Sequence, residues 1–404
     1  MSRSSRKIRL LIITTEYHHG LRYRLHHFLP YLMRWFDVTI VSIAPALYDV
    51  DTNDGSFLRG ILAWASHTLR RPHITKATHS DGVVVLRSFP WSHLLFHRVD
   101  MAVLTAVLLR LSGFSRSFDV VYASPHMAGF AALLARLRPL VYDDVDRLAQ
   151  FTSNPLKRVV FRTIEGFCIR NASIVVSAGY SLRRSAEKIR NGRAEMITNA
   201  VDVSLFKART KVPSDQLVMI YIGGIEPWSG LDETIRALAI LRKEHGADAK
   251  LLIVGLGSQK YVASLKRVSM EEGVEAFLTF HEAVPYEHLA GILSRCHVGL
   301  ATFKPSGISR YAFPFKVLEY MAAGLPSVVS GIEDAAEMVR RFGCGLSVSH
   351  KARAIAEAVH RIASDEQRYR QMSVNAVEAA KNFDVRTQAE KLRTIIDTVA
   401  AQGQ

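Results

Sequence analysis

The feature that most constrains this chain is the alternation of short β-branched runs with longer stretches of helical periodicity along almost all of its 404 residues. This alternation predicts βαβ units, in which parallel strands form a sheet that helices cover on both faces. The predicted strands fall into two sets of six. They are residues 8–14, 38–41, 83–87, 120–123, 140–142 and 174–177 in the first half, and 218–222, 250–254, 278–280, 298–301, 327–329 and 346–348 in the second.

The chain is too long for one ordinary hydrophobic core, so two domains are expected. Residues 206–217 form a polar stretch with a proline and no periodicity, which is typical of a linker. We therefore predict an N-terminal Rossmann-like domain over residues 1–205 and a C-terminal one over 218–384. The final segment, 385–404, has helical spacing and is expected to pack back across the domains. The predicted fold class is α/β, with two doubly wound domains facing across a cleft.

Composition excludes several classes of protein. Apolar residues make up 49% of the chain and charged residues 22%, a balance that excludes intrinsic disorder. The 3 cysteines are far apart and form no CxxC pair, which favours a reducing cytoplasm. The apolar run Ile8–Ile13 is too short for an export signal. Val99–Leu109 contains Asp100 and is shorter than the ~20 residues that a spanning helix needs, so no transmembrane helix is expected.

Positive charge is concentrated in the first half. Residues 1–210 hold 29 Lys and Arg against 15 Asp and Glu, whereas the remainder holds 23 and 22. In residues 57–76 and 91–111, cations stand beside large apolar residues, a mixture that an anionic membrane surface attracts. Ordinary core helices with solvated arginines produce the same pattern, so both interpretations stay open. Nucleic acid is a less favoured partner because there is no zinc spacing, recognition helix or aromatic-basic RNA motif.

The most informative segment for chemistry is SRYAFPFKVLEYMAAGLPSVVS, residues 309–330. Its pattern predicts a short helix over Lys316–Ala323 that Gly324 ends. The start of such a helix presents unpaired N–H groups and a partial positive charge, and Lys316 adds a cation, so a phosphate or diphosphate is the expected ligand. Glu319, one turn deeper on the same face, can accept two hydroxyl hydrogen bonds from a ribose. The alternative is a surface salt pair between these two side chains.

Two glycine-containing turns strengthen the phosphate interpretation. Gly223 and Gly224 directly follow a predicted strand, where the lack of a Cβ lets the backbone approach an anion. Gly255 and Gly257 repeat the pattern after the next strand. Neither turn is a full GxGxxG fingerprint or a Walker GxxxxGK motif, and both can serve as plain turns.

Together these segments resemble the family 4 retaining glycosyltransferases of the GT-B fold. The resemblance covers nearly the whole second half: YIGGIEPWSGLDETIRAL, the VGLG turn, FHEAVPYEHLAGILSRCHVGLATF and PFKVLEYMAAGLPSVV. It extends upstream to ITNAVDVSLF, residues 197–206, which looks like the element that closes the first domain in that family.

The resemblance implies roles for particular residues. Glu319 corresponds to the second Glu of the family's E-x7-E element and implies contact with the donor ribose, while Lys316 corresponds to a donor-phosphate position. The backbone around Ala283 and Val284 matches the segment that holds the nucleobase. Gly223 and Gly224 match the loop under the diphosphate.

Three departures from the family pattern concern the donor sugar and the acceptor. The first Glu of E-x7-E would fall at Tyr311, so the carboxylate near the donor sugar is missing. Ser229 stands where the family often has a basic residue, which removes one expected cation for the diphosphate. The usual tight glycine turn after the first strand is EYHHGLRYR here, with Gly20 as its one glycine.

In the first half, DVVYASPHMAGFAALLAR resembles the strand and loop where the family often places a histidine near the transferred sugar. His126 is the nearest candidate, although a hydrogen-bonded structural histidine is an equal alternative. Asp144 and Asp146 follow another predicted strand, and one of them is expected to orient or deprotonate an acceptor hydroxyl. A solvated acidic turn that caps the next helix is the alternative.

The loop after the first strand is cationic and aromatic. In this fold it faces the acceptor, so Gly20, Arg22 and Arg24 are predicted to bind the acceptor, and the two arginines to hold the phosphate of a lipid-linked one. Solvated helix arginines are the alternative. The nearby histidines lack a completing Cys or carboxylate set, and the resemblance implies a leaving diphosphate neutralised by Lys, Arg and helix dipoles, so no metal and no other cofactor is expected.

These features predict a cytoplasmic enzyme that takes a sugar from a nucleotide diphosphate sugar and joins it to an acceptor hydroxyl with retention of configuration. Polysaccharide or lipid-linked glycan synthesis is the expected context, with peripheral contact to the inner face of the membrane. A nucleotide-sugar 2-epimerase of similar architecture and a non-catalytic nucleotide-sugar or membrane-binding protein are the alternatives.

Overall fold

The computed structural model of the chain describes residues 6–15, 24–45, 77–78, 83–88, 97–111, 117–206, 212–213 and 216–402. The chain divides into two compact units. Unit 1 comprises Met1–Ile197 together with Ala389–Gln404, and unit 2 comprises Thr198–Gln388. The division thus falls between Ile197 and Thr198, and the predicted linker, 206–217, lies inside unit 2.

The described part of unit 1 contains an eight-stranded sheet and five helices before residue 198. The strands are β1 Arg9–Thr14, β2 Asp37–Pro45, β3 Ala77–Thr78, β4 Val83–Ser88, β5 Val120–Ser124, β6 Leu140–Asp144, β7 Ile174–Ser177 and β8 Glu195–Met196. The helices are α1 Arg24–Trp35, α2 His97–Leu111, α3 His126–Leu134, α4 Pro155–Asn171 and α5 Tyr180–Arg190. The six strands predicted for this half are present. The sequence missed β3 and β8 because two residues are too few to show a period.

The strand order in this sheet is β3-β4-β2-β1-β5-β6-β7-β8, and all neighbours pair parallel except β3 with β4. The strands β5 and β6 are buried along their whole length, as is typical of the inner strands of a parallel sheet. From β4 to β8 the chain advances in one direction along the sheet. Right-handed crossovers therefore place α2 to α5 on one and the same face.

Unit 2 contains a six-stranded, all-parallel sheet in the described residues, as predicted. Its strands are β9 Leu217–Ile222, β10 Ala249–Val254, β11 Leu278–His281, β12 Val298–Thr302, β13 Ser327–Ser330 and β14 Gly345–Ser347. Its helices are α6 Leu231–Lys243, α7 Gln259–Glu271, α8 Tyr286–Leu293, α9 Gly307–Tyr311, α10 Phe315–Ala322, α11 Glu333–Phe342, α12 Ala352–Ala363 and α13 Glu366–Ala380. The predicted α/β class is confirmed.

In both sheets the first strand lies in the interior, and the later strands are added first on one side of it and then on the other. In unit 2 the order β11-β10-β9-β12-β13-β14 is that of a Rossmann sheet, and the order β4-β2-β1-β5-β6-β7 repeats it in unit 1. The switch points lie between β9 and β12 and between β1 and β5. Ligands of such sheets bind outside the carboxyl ends of the strands at these points, so a binding site is expected there.

The last helix, α14 Val385–Gln402, has its first turn in unit 2 and the remainder in unit 1. In unit 1 the guanidinium of Arg393 lies 5.1 Å from the centre of the Trp35 ring. Within the described residues, no helix combines the length and the apolar character needed to cross a membrane. The cysteines Cys168, Cys296 and Cys344 are buried and form no disulfide.

Candidate functional site

Helix α10 starts at the carboxyl edge of the unit 2 sheet, next to the switch point. Pro314 occupies its N-cap position, and Gly324 follows its end with a φ of +74°, a left-handed conformation that favours glycine. The helix begins at Phe315 and ends at Ala322, within one residue of the prediction. It presents Lys316 in its first turn.

Lys316 is buried in an aromatic pocket. Its side chain is 8% exposed, and its ammonium nitrogen lies 3.7 Å from the centre of the Tyr221 ring and 4.8 Å from that of Phe303. No carboxylate of the described residues lies within ion-pair distance of it. Burial lowers the pKa of Lys316 to about 7, which the negative charge of Glu319 opposes only in part. This cation is desolvated without a matching anion, as expected at a site that receives one.

Glu319 lies one turn deeper on the same helix and is 7% exposed. Its carboxylate makes no described hydrogen bond or ion pair, and burial raises its pKa to about 7. The surface salt pair between Lys316 and Glu319 that the sequence left open is therefore not formed. Two buried, unpaired polar groups remain side by side at the switch point.

The glycine turns after β9 and β10 pack against each other. Gly223 has a φ of +118°, and a Cβ on it would lie 3.1 Å from the ammonium nitrogen of Lys316. A Cβ on Gly255 would lie 1.9 Å from the carbonyl oxygen of Gly223, and one on Gly257 would lie 2.4 Å from that of Ile225. Loop packing alone thus requires glycine at 255 and 257. At Gly223, glycine also leaves room for the Lys316 side chain, while Gly224 meets only the Glu226 side chain.

Tyr320 fills a gap between β9 and β12, a feature that the sequence reasoning missed. These strands pair only at Val298 and Gly299, and beyond that point the Tyr320 hydroxyl accepts a hydrogen bond from the Ile222 N–H at 3.1 Å. It lies 3.2 Å from the carbonyl oxygen of Leu300. The divergence opens the sheet edge where Lys316 lies. The sequence signal was Gly299, because a Cβ there would approach the Tyr320 ring to 2.3 Å.

The remaining donor residues of the prediction lie along the same sheet edge. Ala283 is exposed and Val284 half-buried, directly after β11, which is two strands from β9. The segment after β11, the Gly255 turn, the Gly223 turn and Lys316 follow one another across four adjacent strands, about 14 Å of sheet edge. Their roles in binding stay predictions.

Ser229, which stands where the family often has a basic residue, can be placed in the structure. Ser229 is buried and donates a hydrogen bond to the carbonyl oxygen of Glu226 at 2.6 Å. The loop after β12 carries a different cation, Lys304, whose ammonium lies 3.0 Å from the Asp232 carboxylate. Lys304 is 41% exposed and lies next in sequence to Phe303 of the Lys316 pocket. It is a cation near the site that the family pattern did not point to.

In unit 1 the predicted histidine lies at the switch point. His126 begins α3, directly after β5, and is 3% exposed. Its Nδ1 lies 3.6 Å from Oδ1 of Asp146, a residue whose side chain is 39% exposed. An Asp–His pair at this edge can hold the imidazole in one orientation and stabilise its charged form. The structure thus brings two of the predicted residues together.

Arg24, predicted to bind the acceptor phosphate, lies in a buried ion pair. Its guanidinium is 4% exposed and donates to Asp143 at 3.0 Å and to the backbone carbonyl of Ile197. The Tyr122 hydroxyl donates to the same carboxylate. Binding of the acceptor by Arg24 stays a prediction. Gly20 and Arg22 lie outside the described residues.

Asp144, predicted as an acceptor base, is also buried and paired. It is 0% exposed and forms an ion pair with Arg147, whose guanidinium also donates to the Asp146 carbonyl oxygen at 3.1 Å. Glu165 of α4 accepts from the Ala149 N–H at 3.0 Å, and burial raises its pKa to about 7. The role of Asp144 toward an acceptor stays a prediction, and in the structure its carboxylate is buried against Arg147. Sequence reasoning missed Arg147 and Glu165, which fix this loop.

No group of three or more His, Cys, Asp or Glu side chains in the described part of the chain is arranged to hold a metal ion. That a metal is not required stays a prediction.

Residues 202–379 match the family model for glycosyl transferases group 1. Unit 2 is a glycosyl transferases group 1 domain. The chain is 26% identical over 198 residues to the D-inositol 3-phosphate glycosyltransferase of Nocardia farcinica. The aligned region covers 47% of this chain and 42% of that protein. The chain thus spans less than half the length of this relative, and family 4 is not distinguished.

Solved structures extend the likeness in fold over both units. Anabaena Alr3699/HepE in complex with UDP covers 97% of this chain and 100% of its own, with a TM-score of 0.69 and 18% identity. WaaG, a glycosyltransferase involved in lipopolysaccharide biosynthesis, covers 96% and 99% with a TM-score of 0.67 and 14% identity. The expected GT-B fold is confirmed.

Proposed function

We propose that this glycosyltransferase moves a sugar from a nucleoside diphosphate sugar, held by unit 2, to an acceptor hydroxyl, with retention of configuration. The observation that carries the proposal is the buried, unpaired Lys316 ammonium beside Gly223 at the switch point. A diphosphate is the anion that fits a cation and a helix start beside a glycine turn. Structural relatives that bind UDP support a nucleotide donor.

The chemical role of this site is to stabilise the departing diphosphate. Charge develops on its oxygens as the bond to the sugar breaks, and groups already oriented toward that charge lower the barrier most. Lys316 and the first turn of α10 supply this stabilisation without a metal. Glu319 accepts hydrogen bonds from the ribose hydroxyls, and the backbone at Ala283 and Val284 receives the base.

Unit 1 supplies the acceptor side of the reaction in this proposal. His126 and Asp146 are the groups that orient the transferred sugar and the attacking hydroxyl, because they are the predicted pair that the structure brings within 3.6 Å. The hydroxyl attacks on the face from which the nucleotide leaves, so the chain needs no nucleophile of its own.

Synthesis of a cell-surface polysaccharide or a lipid-linked glycan is the proposed context. The fold likeness to a lipopolysaccharide glycosyltransferase and the positive charge of residues 1–210 support it. A cytoplasmic location with peripheral contact to an anionic membrane belongs to the same proposal.

The experiment is a donor panel on the purified chain, with UDP-, GDP- and ADP-sugars scored by thermal stabilisation and then by transfer. A bound donor raises the melting temperature by mass action. Lys316→Ala should abolish this stabilisation and lower kcat/KM by about 10²–10³-fold. The exposed Lys351→Ala variant is the matched control and should behave as the unmodified chain. Equal stabilisation and turnover in Lys316→Ala would refute the site.

Incubation with donor alone separates transfer from epimerisation, because a 2-epimerase needs no acceptor. We expect no isomerised sugar and only slow hydrolysis of the donor. Isomerised product would overturn the transferase proposal while leaving the donor site in place.

A further inference from the structure

Helix α4 of unit 1 turns an apolar stripe toward solvent. Leu156 and Val159 are 59% and 61% exposed, and Phe167 is 36% exposed. Steps of three and eight residues keep these side chains on one face of the helix. Phe151, four residues before α4, is 52% exposed. We call Phe151, Leu156, Val159 and Phe167 the α4 surface.

The α4 surface is distinct from the face by which helix α4 packs against the core of unit 1. Phe161, Ile164, Cys168 and Ile169 cover the opposite side, where they join the core of unit 1. Asn154 caps the helix through the Lys157 N–H, so its start is fixed by a hydrogen bond of 3.0 Å. The exposed stripe is therefore a second apolar face that the described residues of unit 1 leave uncovered.

Cations flank this stripe, and within the described segment 151–171 no exposed carboxylate does. Arg162 and Arg170 are exposed, and Lys157 and Arg158 are half-buried. From Phe151 to Asn171 the sequence holds one acidic residue, Glu165, and its carboxylate is buried against the Ala149 N–H. The α4 surface thus combines exposed apolar side chains with neighbouring cations.

The neighbouring helix α2 extends the surface. Val103, Val107 and Leu111 are spaced by four residues and are 43%, 47% and 80% exposed. Helix α2 packs on α3, and α3 packs on α4, all on the same face of the sheet. The outward sides of α2 and α4 therefore point the same way.

We propose that the α4 surface is the part of unit 1 that docks on an anionic lipid bilayer. Apolar side chains enter the interface while Lys and Arg contact lipid phosphates, and both contributions are present here on one side. A second copy of the chain is the poorer partner, because a symmetric contact would place these cations against themselves. The inference rests on the proposed membrane contact and not on sugar transfer.

The test is flotation of the purified chain with phosphatidylcholine vesicles, with and without phosphatidylglycerol. We expect association only with the anionic vesicles at an ionic strength of about 0.01 M and its loss at about 1 M. Leu156→Ser/Val159→Ser and Lys157→Glu/Arg162→Glu should each weaken association about tenfold or more. Thermal stabilisation by nucleotide is recorded for every variant and should not change.

Matched controls come from unit 2. Met270→Ser/Val374→Ser removes apolar residues that are 69% and 52% exposed, and Arg341→Glu/Lys351→Glu changes the net charge equally. Both should float as the unmodified chain does. No association of the unmodified chain at low salt would overturn the proposal, as would equal loss in the controls. A concentration-dependent dimer that the Leu156→Ser/Val159→Ser variant dissociates would assign the surface to a second copy instead. Intact nucleotide stabilisation in any of these cases leaves the donor site standing.

Discussion

The ammonium nitrogen of Lys316 lies 3.7 Å from the centre of the Tyr221 ring, over its face. An aromatic face attracts a cation but does not neutralise it. Burial lowers the pKa of Lys316 to about 7. An anion that binds beside this amine therefore favours its protonated, charged form.

The affinity for UDP should therefore depend on pH through Lys316. Binding of an anion favours the protonated amine, so affinity is highest below pH about 7 and falls as the pH rises above it, by up to tenfold per unit. Titration calorimetry at about pH 8 in buffers of different ionisation enthalpy should show proton uptake. Lys316→Arg keeps its charge at all these pH values and should bind UDP without proton uptake. Uptake that persists in Lys316→Arg would assign the proton to another group.

Stability should depend on pH through Glu319. Burial raises its pKa from 4.5 to about 7 in the folded chain, so the folded state binds more protons than the unfolded state between these values. The contribution of Glu319 to stability is then greatest below pH 4.5 and falls as the pH rises to about 7, by up to about 3 kcal/mol. Glu319→Gln should remove this loss, so that urea unfolding shows the variant gaining on the unmodified chain as the pH rises. The exposed Glu271→Gln variant should show no such gain.

The buried pair between Arg24 and Asp143 should be structural. Arg24→Met leaves a buried carboxylate without its cation and should lower the free energy of unfolding by about 3–5 kcal/mol. The control is Arg9→Met, because its partner Asp119 is 32% exposed and such pairs contribute about 1 kcal/mol or less. Arg24→Met/Asp143→Asn should recover part of the loss. Urea unfolding that shows equal costs for Arg24→Met and Arg9→Met would contradict the assignment.

Gly299 should be required by the ring of Tyr320. Gly299→Ala places a methyl group 2.3 Å from ring carbons and should cost about 1–3 kcal/mol of stability through overpacking. Gly291→Ala in α8 meets nothing within 4 Å and should be neutral or slightly stabilising, since alanine favours the helix. Thermal melts compare the two. A loss in Gly299→Ala no larger than in Gly291→Ala would show that the ring moves away freely.

The fold was predictable because periodicity and turn residues carry its information locally. The six parallel strands of unit 2 were all predicted, and the helix before Gly324 was located within one residue. Lys316 and Glu319 were found for the same reason, because helix spacing places both on one face. The surroundings of these side chains were not predicted, because three-residue spacing does not show whether Glu319 forms an ion pair with Lys316.

The acidic run of unit 1 shows the limit more plainly. Asp143, Asp144 and Asp146 are nearly adjacent in sequence, yet two are buried under arginines and one is 39% exposed beside His126. Asp144 pairs with Arg147, three residues further on, whereas the partner of Asp143 is Arg24 of α1, 119 residues away in the sequence. Periodicity does not reveal such long-range pairing, so the sequence alone does not tell which carboxylate stays accessible.

Unit 1 is discontinuous in the chain, because Ala389–Gln404 belongs to it although all of Thr198–Gln388 intervenes. A ribosome therefore emits every residue of unit 2 before it emits the part of α14 that unit 1 requires. The whole of unit 2 is thus synthesised before unit 1 is complete. A premature stop before Ala389 would leave unit 2 whole and unit 1 without the residues that α14 contributes to it.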